Sequence, residues 1–201
     1  MKNYYLAFSA LVLSILSADT NKILIEDLSL QGNINVSRNE IFYIIRQRPP
    51  NFFFRRPEFD PRLLKLDAFT LENYYKSKGF LDAEVEEFYE IKENQYAHII
   101  LKVNEGKQYF LSDVSISGNE IIDRSEIIES LRLKMGQPYN PVAINENLYL
   151  LENKYHNMGK LFFSISIQDV ISDSVDVKIE ISEGDDIYIN NTYFEELGDI
   201  D

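Results

Sequence analysis

The residues in this chain that could do chemistry are few and scattered. Its two histidines, His98 and His156, lie on a predicted strand and near the end of a predicted helix. Either could act as a base or a metal ligand, but neither has a clustered partner, so we expect surface or helix-dipole roles. Ser, Asp and Glu are abundant, yet no Ser stands in a Gly-x-Ser-x-Gly turn. We therefore expect no catalytic residues and no enzymatic activity.

Two groups of acidic residues raise the question of calcium binding: Glu84, Glu86 and Glu87, and Asp169, Asp173 and Asp176. Their spacing lacks the EF-hand loop, and alternation along a strand places some of them on the solvent side. Surface solvation explains them better, so no metal and no cofactor is expected. The chain has no cysteine, which excludes disulfides and a lipid-bearing Cys.

Composition narrows the class of partner. A net charge of −13 and a pI near 4.6 disfavour nucleic acid and anionic lipid headgroups, because both would be repelled. A hydrophobic content of 45%, with 13 Tyr and 13 Phe, is ample for folded cores. We predict a folded protein whose main partners are neither nucleic acid nor anionic lipid.

The N-terminus has the features of a secretory signal. One Lys precedes the apolar stretch Tyr4 to Leu16, which is too short to span a bilayer with ease. We predict a signal peptide over residues 1–18 with cleavage after Ala18. Leu16 is larger than the usual residue three positions before a cut, so an uncleaved anchor stays open.

The rest of the chain repeats itself. Three phrases recur in the same order: Gly32-Asn33 as Gly118-Asn119, Leu71-Glu72-Asn73 as Leu151-Glu152-Asn153, and Glu105-Gly106 as Glu183-Gly184. A period near 80 residues fits one small domain, so we predict tandem modules. Repeated modules usually present surfaces to partners, whereas an active site is normally built once.

The sequence pattern of each module predicts the same order of elements: strand, helix, helix, strand, strand. Alternating Leu28 and Leu30 predict the first strand, as do Val114 and Ile116 in the second copy. Capping boxes open the first helix: Ser37 with Glu40, then Asp123 in the cap role with Glu126, each flanked by a hydrophobic staple.

The second helix starts at a cap residue followed by proline, Asp60-Pro61 and Asn140-Pro141, and ends at Gly79 and Gly159. Its apolar stripe is Leu64, Ala68, Leu71 and Tyr75, matched by Ile144, Leu148, Leu151 and Tyr155. Two strands then close each module as a hairpin, about Ala83 to Ile91 and Ala97 to Val103, repeated as Phe163 to Val170 and Val175 to Ile181. The predicted fold is α+β: tandem β-α-α-β-β modules, each a three-stranded mixed sheet covered on one face by two helices.

This element order, the Gly-Asn after the first strand, the Tyr-xxx-Gly ending the second helix and the closing Glu-Gly together resemble the POTRA domain. The segment Tyr75 to Val85 resembles modules of the BamA family of outer-membrane protein assembly factors. The resemblance covers about Ile23 to Asp185. We predict a signal peptide over 1–18, POTRA-like domains over 19–106 and 107–185, and over 186–201 a truncated third module or tail, with the family's membrane barrel either missing from this chain or supplied by a partner.

The resemblance implies a periplasmic location at the outer membrane and partners that are unfolded outer-membrane proteins and accessory lipoproteins. It also implies that the second strand of each module is a sheet edge to which client segments add. The residues expected there are Val85, Glu86, Glu87, Phe88 and Tyr89, and Ser164, Ile165, Ser166, Ile167 and Gln168. Alternatives are pure scaffold or spacer modules, and the POTRA part of a two-partner secretion or translocation-and-assembly transporter.

The loop Arg46 to Phe59, which is six residues longer than its counterpart in the second copy, carries three adjacent aromatic residues, Phe52, Phe53 and Phe54, flanked by arginines. They either plug the end of the local core or contact a partner, and the two readings are about equally supported.

Overall fold

A computed structural model describes residues 22–50, 56–185 and 187. The chain forms two compact units. Of the described residues, the first unit comprises those up to Tyr74 together with Asp82–Gly106, and the second comprises Tyr75–Leu81 together with those from Lys107 onwards. The signal peptide over 1–18, Phe52, Phe53 and Phe54, and nearly all of the segment 186–201 lie outside the described residues.

The first module follows the predicted element order. Its elements are β1 (Leu24–Gln31), α1 (Arg38–Ile44), α2 (Pro61–Ser77), β2 (Glu84–Lys92) and β3 (Tyr96–Asn104). The sheet order is β1-β3-β2, with β1 parallel and β2 antiparallel to the central β3.

The second module repeats this topology. Its elements are β4 (Leu111–Ser117), α3 (Arg124–Ser130), α4 (Pro141–Asn157), β5 (Ser164–Ile171) and β6 (Val175–Ser182). The sheet order is β4-β6-β5, again with one parallel and one antiparallel pair. The predicted α+β fold with two three-stranded mixed sheets is confirmed.

The cores lie where the apolar patterns predicted them. Alternate residues of the central strands are buried: Ala97, Ile99, Leu101 and Val103 on β3, and Val175, Val177, Ile179 and Ile181 on β6. The α2 stripe Leu64, Ala68, Leu71 and Tyr75 is buried throughout, and on α4 only Leu148 of the predicted set is partly exposed. One face of each sheet is therefore covered, and the other is open.

Each first strand contains an irregularity that simple alternation did not predict. The register shifts between Ile25 and Asp27 on β1, and between Leu111 and Asp113 on β4. A bulge inserts one extra residue, so inward-facing neighbours such as Ile25 and Leu28 are three positions apart instead of two.

Three of the four predicted helix caps form. The Ser37 Oγ accepts from Glu40 N at 3.3 Å, and Asp60 and Asn140 cap the second helix of each module. The predicted capping role of Asp123 is wrong, since its side chain makes no cap hydrogen bond. The Asp123 carbonyl accepts from Glu126 N instead, which satisfies that backbone donor without the side chain.

The second helices end as predicted, because Gly79 and Gly159 take left-handed φ values of 90° and 86°. Within the parts of the chain that the structure describes, no helix combines the length and apolarity needed to cross a bilayer.

Candidate partner-binding edges

The second strand of each module lies at the edge of its sheet. We call β2 the first edge and β5 the second edge. Each pairs with the central strand on one side, and no other described strand joins it on the other. An edge strand carries backbone N–H and C=O groups that can pair with a further strand. The structure places Val85–Tyr89 on the first edge and Ser164–Gln168 on the second; their role in binding stays a prediction.

The pairing register assigns the side chains of the first edge to the two sheet faces. Val85, Glu87, Tyr89 and Ile91 lie opposite the buried residues of β3 and thus share the helix-covered face. The open face receives Glu84, Glu86, Phe88, Glu90 and Lys92.

Acidic residues are concentrated in the N-terminal half of the first edge, and exposed apolar residues in its C-terminal half. The C-terminal half has one acidic residue, Glu90, whose carboxylate lies 3.6 Å from Lys92 Nζ. The N-terminal half holds Glu84, Glu86 and Glu87, whereas Phe88, Tyr89 and Ile91 in the C-terminal half are 49%, 49% and 39% exposed. Phe88 pairs with Ile100 on the open face. This strand therefore offers an acidic end and an apolar end to whatever lies beside it.

The second edge carries no charged side chain on its open face, where Val170 is the one apolar residue. Ser164, Ser166 and Gln168 face outward there, opposite Ser182, Glu180 and Lys178 of β6. Ile165 and Ile167 point to the covered face, where they are half-buried and pack against the core. This edge carries a single acidic side chain, Asp169.

The Asp169 side chain makes a hydrogen bond within its own module. Its Oδ1 accepts from the Tyr139 hydroxyl at 2.6 Å. Burial, and then the hydrogen bond and charge of Asp169, raise the pKa of Tyr139 well above its usual value. Burial also raises the pKa of Tyr155, with the negative charge of Glu183 as the next cause.

A carboxylate clamp explains why Gly-Asn and Glu-Gly recur together. The nearly buried Glu105 accepts from Ile34 N at 2.7 Å and from Asn35 N at 2.9 Å, in the loop after β1. Glu183 accepts in the same way from Glu120 N and Ile121 N, at 2.8 and 3.0 Å. Each Glu thus ties the end of its module to the loop after the module's first strand.

The glycine in each of these loops meets the central strand closely. A Cβ at Gly32 would stand 2.0 Å from the Val103 carbonyl oxygen, and one at Gly118 would stand 1.9 Å from that of Ile181. The repeated phrases signalled a common framework, but the contact between them was not predicted from the sequence.

The polar residues considered above for catalysis or metal binding lie at separate places in the fold. His98 lies on β3 opposite Glu90 and Asp27 in the sheet register, and His156 lies in the last turn of α4. Asp173 is near Lys107, with Nζ and Oδ1 3.4 Å apart, and Asp176 accepts from Ser112 Oγ. Among the described residues, no group of three or more acidic or histidine side chains is placed to hold a metal ion.

Comparison with known proteins shows which family the second module matches and which proteins the chain is similar to. Residues 109–184 match the model of the POTRA family, described as surface antigen variable number repeat. The chain is 25% identical over 145 residues to the outer membrane protein assembly factor BamA of Neorickettsia risticii, covering 70% of this chain and 20% of that protein. It is 26% identical over 196 residues to BamA of Buchnera aphidicola, covering 95% of this chain and 29% of that protein.

Solved structures agree on the architecture. POTRA domains 3–5 of Haemophilus influenzae BamA superpose with a TM-score of 0.61 at 17% identity, covering 82% of this chain and 67% of that one. BamA of Haemophilus ducreyi lacking POTRA domains 1–3 gives a TM-score of 0.59 at 17% identity, covering 79% of this chain and 29% of that one. The chain spans less than a third of the length of the two curated BamA relatives.

Proposed function

Because this chain carries POTRA domains of the BamA type, we propose that it binds segments of unfolded outer-membrane proteins as part of an outer-membrane assembly machine. The relatives are named as outer membrane protein assembly factors. In this proposal the chain works in the periplasm, is exported by residues 1–18, and acts beside a membrane barrel. It also docks accessory lipoproteins of the machine.

The single observation that carries the client-binding role is the position of β2 and β5 at the sheet edges. An extended client segment adds there as a fourth strand through main-chain hydrogen bonds. Main-chain pairing depends little on side chains, which suits a receptor for many clients. The alternating strands of outer-membrane proteins are extended segments of this kind.

Two features of the edges support strand addition. Both are eight or nine residues long, and each pairs in regular antiparallel register along its length with the central strand. The outer side of each strand therefore presents a straight row of backbone groups. Neither strand contains proline, which would interrupt that row.

The test is a titration of the full chain, labelled with ¹⁵N, with ten-residue peptides of alternating apolar and polar residues. We expect amide shifts concentrated on Glu84–Lys92 or Ser164–Ile171. The matched control is the same peptide with N-methyl groups on alternate residues, which removes the donors on one side of the strand.

N-methylation on the pairing side should abolish the shifts, and N-methylation on the other side should leave them. Absence of edge shifts with every peptide would contradict client binding and would favour a scaffold that only spaces or docks other proteins. Shifts that survive both N-methylated peptides would mean that binding does not use main-chain pairing.

A further inference from the structure

The two edges differ in chemistry, and we infer that the first edge is selective: it takes an extended segment that is basic at one end and apolar or aromatic at the other. This inference rests on the proposed function, since it presumes strand addition. It goes further by naming which edge binds and what class of segment it prefers.

The acidic half of the first edge carries more negative charge than the ion pairs within its own module neutralise. Glu86 lies 3.2 Å from Lys102 Nζ in an exposed ion pair. No ion pair is formed by Glu84 or Glu87 among the described residues. An added strand places its side chains directly beside those of the edge, where opposite charges attract and like charges repel. Lys or Arg beside Glu84, Glu86 and Glu87 is therefore favoured, and Asp or Glu is disfavoured.

The apolar half offers contact on both faces of the sheet. On the covered side, the Tyr89 ring packs against Phe59 with the centroids 4.8 Å apart, which fixes its position from within. On the open side, Phe88 lies beside Ile100. Both aromatic side chains remain half-exposed. Aromatic or β-branched residues on an added strand would cover them and gain cross-strand packing.

The second edge lacks the acidic half, and its exposed apolar residues, Val170 and Ile171, are aliphatic instead of aromatic. Its outward residues Ser164, Ser166 and Gln168 are uncharged and polar, and Asp169 is engaged by the Tyr139 hydroxyl. Strand addition there would gain no charge attraction and no aromatic packing from the edge strand. The same segment should thus bind the first edge more tightly.

The test compares two peptides that share an apolar half of alternating Phe, Thr and Val and differ in the other half, which carries three Lys or three Glu. Several favourable cross-strand pairs together should amount to about a tenfold tighter binding of the Lys peptide. A spin label at its Lys end should broaden the amides of Glu84–Glu87 and spare those of Glu90–Lys92.

The paired variant is Glu84→Gln with Glu87→Gln, which keeps size and removes charge from two exposed or half-exposed positions. It should reduce the preference for the Lys peptide to less than about threefold. The matched control, Glu129→Gln with Glu146→Gln, removes two negative charges from exposed positions on α3 and α4 and should leave the preference unchanged. Equal unfolding midpoints establish that each variant is folded.

The outcomes separate the two proposals. Binding to the first edge with the Lys preference supports the inference. Binding to either edge without regard to peptide charge, or preferential binding to the second edge, overturns the inference and leaves the proposed function standing. No edge binding by either peptide overturns both.

Discussion

The Tyr139 hydroxyl donates a hydrogen bond of 2.6 Å to Asp169, linking the residue before the α4 cap to the second edge. The corresponding residues of the first module, 80 positions earlier, are Phe59 and Tyr89, whose rings pack with centroids 4.8 Å apart. The same connection is made by a polar contact in one module and by an aromatic contact in the other. The two edges are therefore held by their modules through different chemistry.

Alkaline pH should weaken the second module through this pair. Because the pKa of Tyr139 is raised above the value of 10 it has when unfolded, its contribution to the free energy of unfolding is complete below pH 10 and is lost as pH rises beyond it. Ionised Tyr139 would place two negative charges together. Thermal unfolding measured from pH 8 to 11 should show a steep fall in stability above pH 10.

Tyr139→Phe removes both the hydrogen bond and the titration. We expect the variant to be about 1 kcal/mol less stable at pH 8, and the deficit should shrink as pH rises past 10. Tyr149→Phe, at an exposed position on α4, is the control, and its difference from the parent chain should stay constant. A deficit for Tyr139→Phe that is independent of pH would contradict this account.

Alanine at Gly32 or Gly118 should unfold the affected module. The new Cβ would meet a backbone carbonyl oxygen at 2.0 or 1.9 Å, a contact that no rotamer change relieves. We expect losses above about 3 kcal/mol in urea unfolding. Gly136→Ala is the control: its φ of 71° is equally left-handed, but nothing lies within 4 Å. It should cost only about 1–2 kcal/mol for the strained backbone.

Removal of the carboxylate clamp should lower the free energy of unfolding more in the first module than in the second. Glu105 is nearly buried and accepts from two backbone N–H groups and the Asn35 side chain, whereas Glu183 is partly exposed. Glu105→Ala should lower the free energy of unfolding by about 3 kcal/mol and Glu183→Ala by about 1. Hydrogen exchange should accelerate at Ile34 and Asn35 in the first variant. Equal losses in the two variants would mean that burial does not set the strength of the clamp.

The caps of the two short helices should respond differently to truncation. Ser37→Ala deletes an oxygen that accepts from Glu40 N and should cost about 1 kcal/mol. Asp123→Ala removes a side chain that makes no cap hydrogen bond, so it should lower the free energy of unfolding by only a few tenths of a kcal/mol. Chemical denaturation of the single variants measures both. A loss at Asp123 as large as that at Ser37 would restore the capping role.

The sequence predicted those parts of the fold that depend on neighbouring residues. Cap residues, the proline at the start of α2 and α4, and the alternation on β3 and β6 act over a few positions, and the repeat let each pattern be checked against its copy. The placement of β2 and β5 at the edges was implied by family resemblance, because local patterns do not specify which strand occupies the centre of a sheet.

Features set by distant contacts were not predicted. The bulge after Ile25 arises where β1 pairs with β3, about seventy residues further along the chain. The clamp from Glu105 to Ile34 spans a similar separation. Asp123 is a residue type that commonly caps helices, but its side chain does not accept the hydrogen bond from Glu126 N. The backbone carbonyl of Asp123 accepts that hydrogen bond instead. A single sequence carries no direct signal for such pairings.

The parallel pairing of β1 with β3 sets an order of events during folding. The hairpin of β2 and β3 closes through the three residues Glu93 to Gln95, of which Glu93 and Asn94 have positive φ, and short-range closure is fast. We expect β1 to join β3 later, because Leu24 pairs with Tyr96, about seventy residues further along the chain. Until then, the backbone groups of β3 that later pair with β1 have no partner strand. A strand from another chain could pair with them at this stage, on a side of β3 that is closed in the folded module.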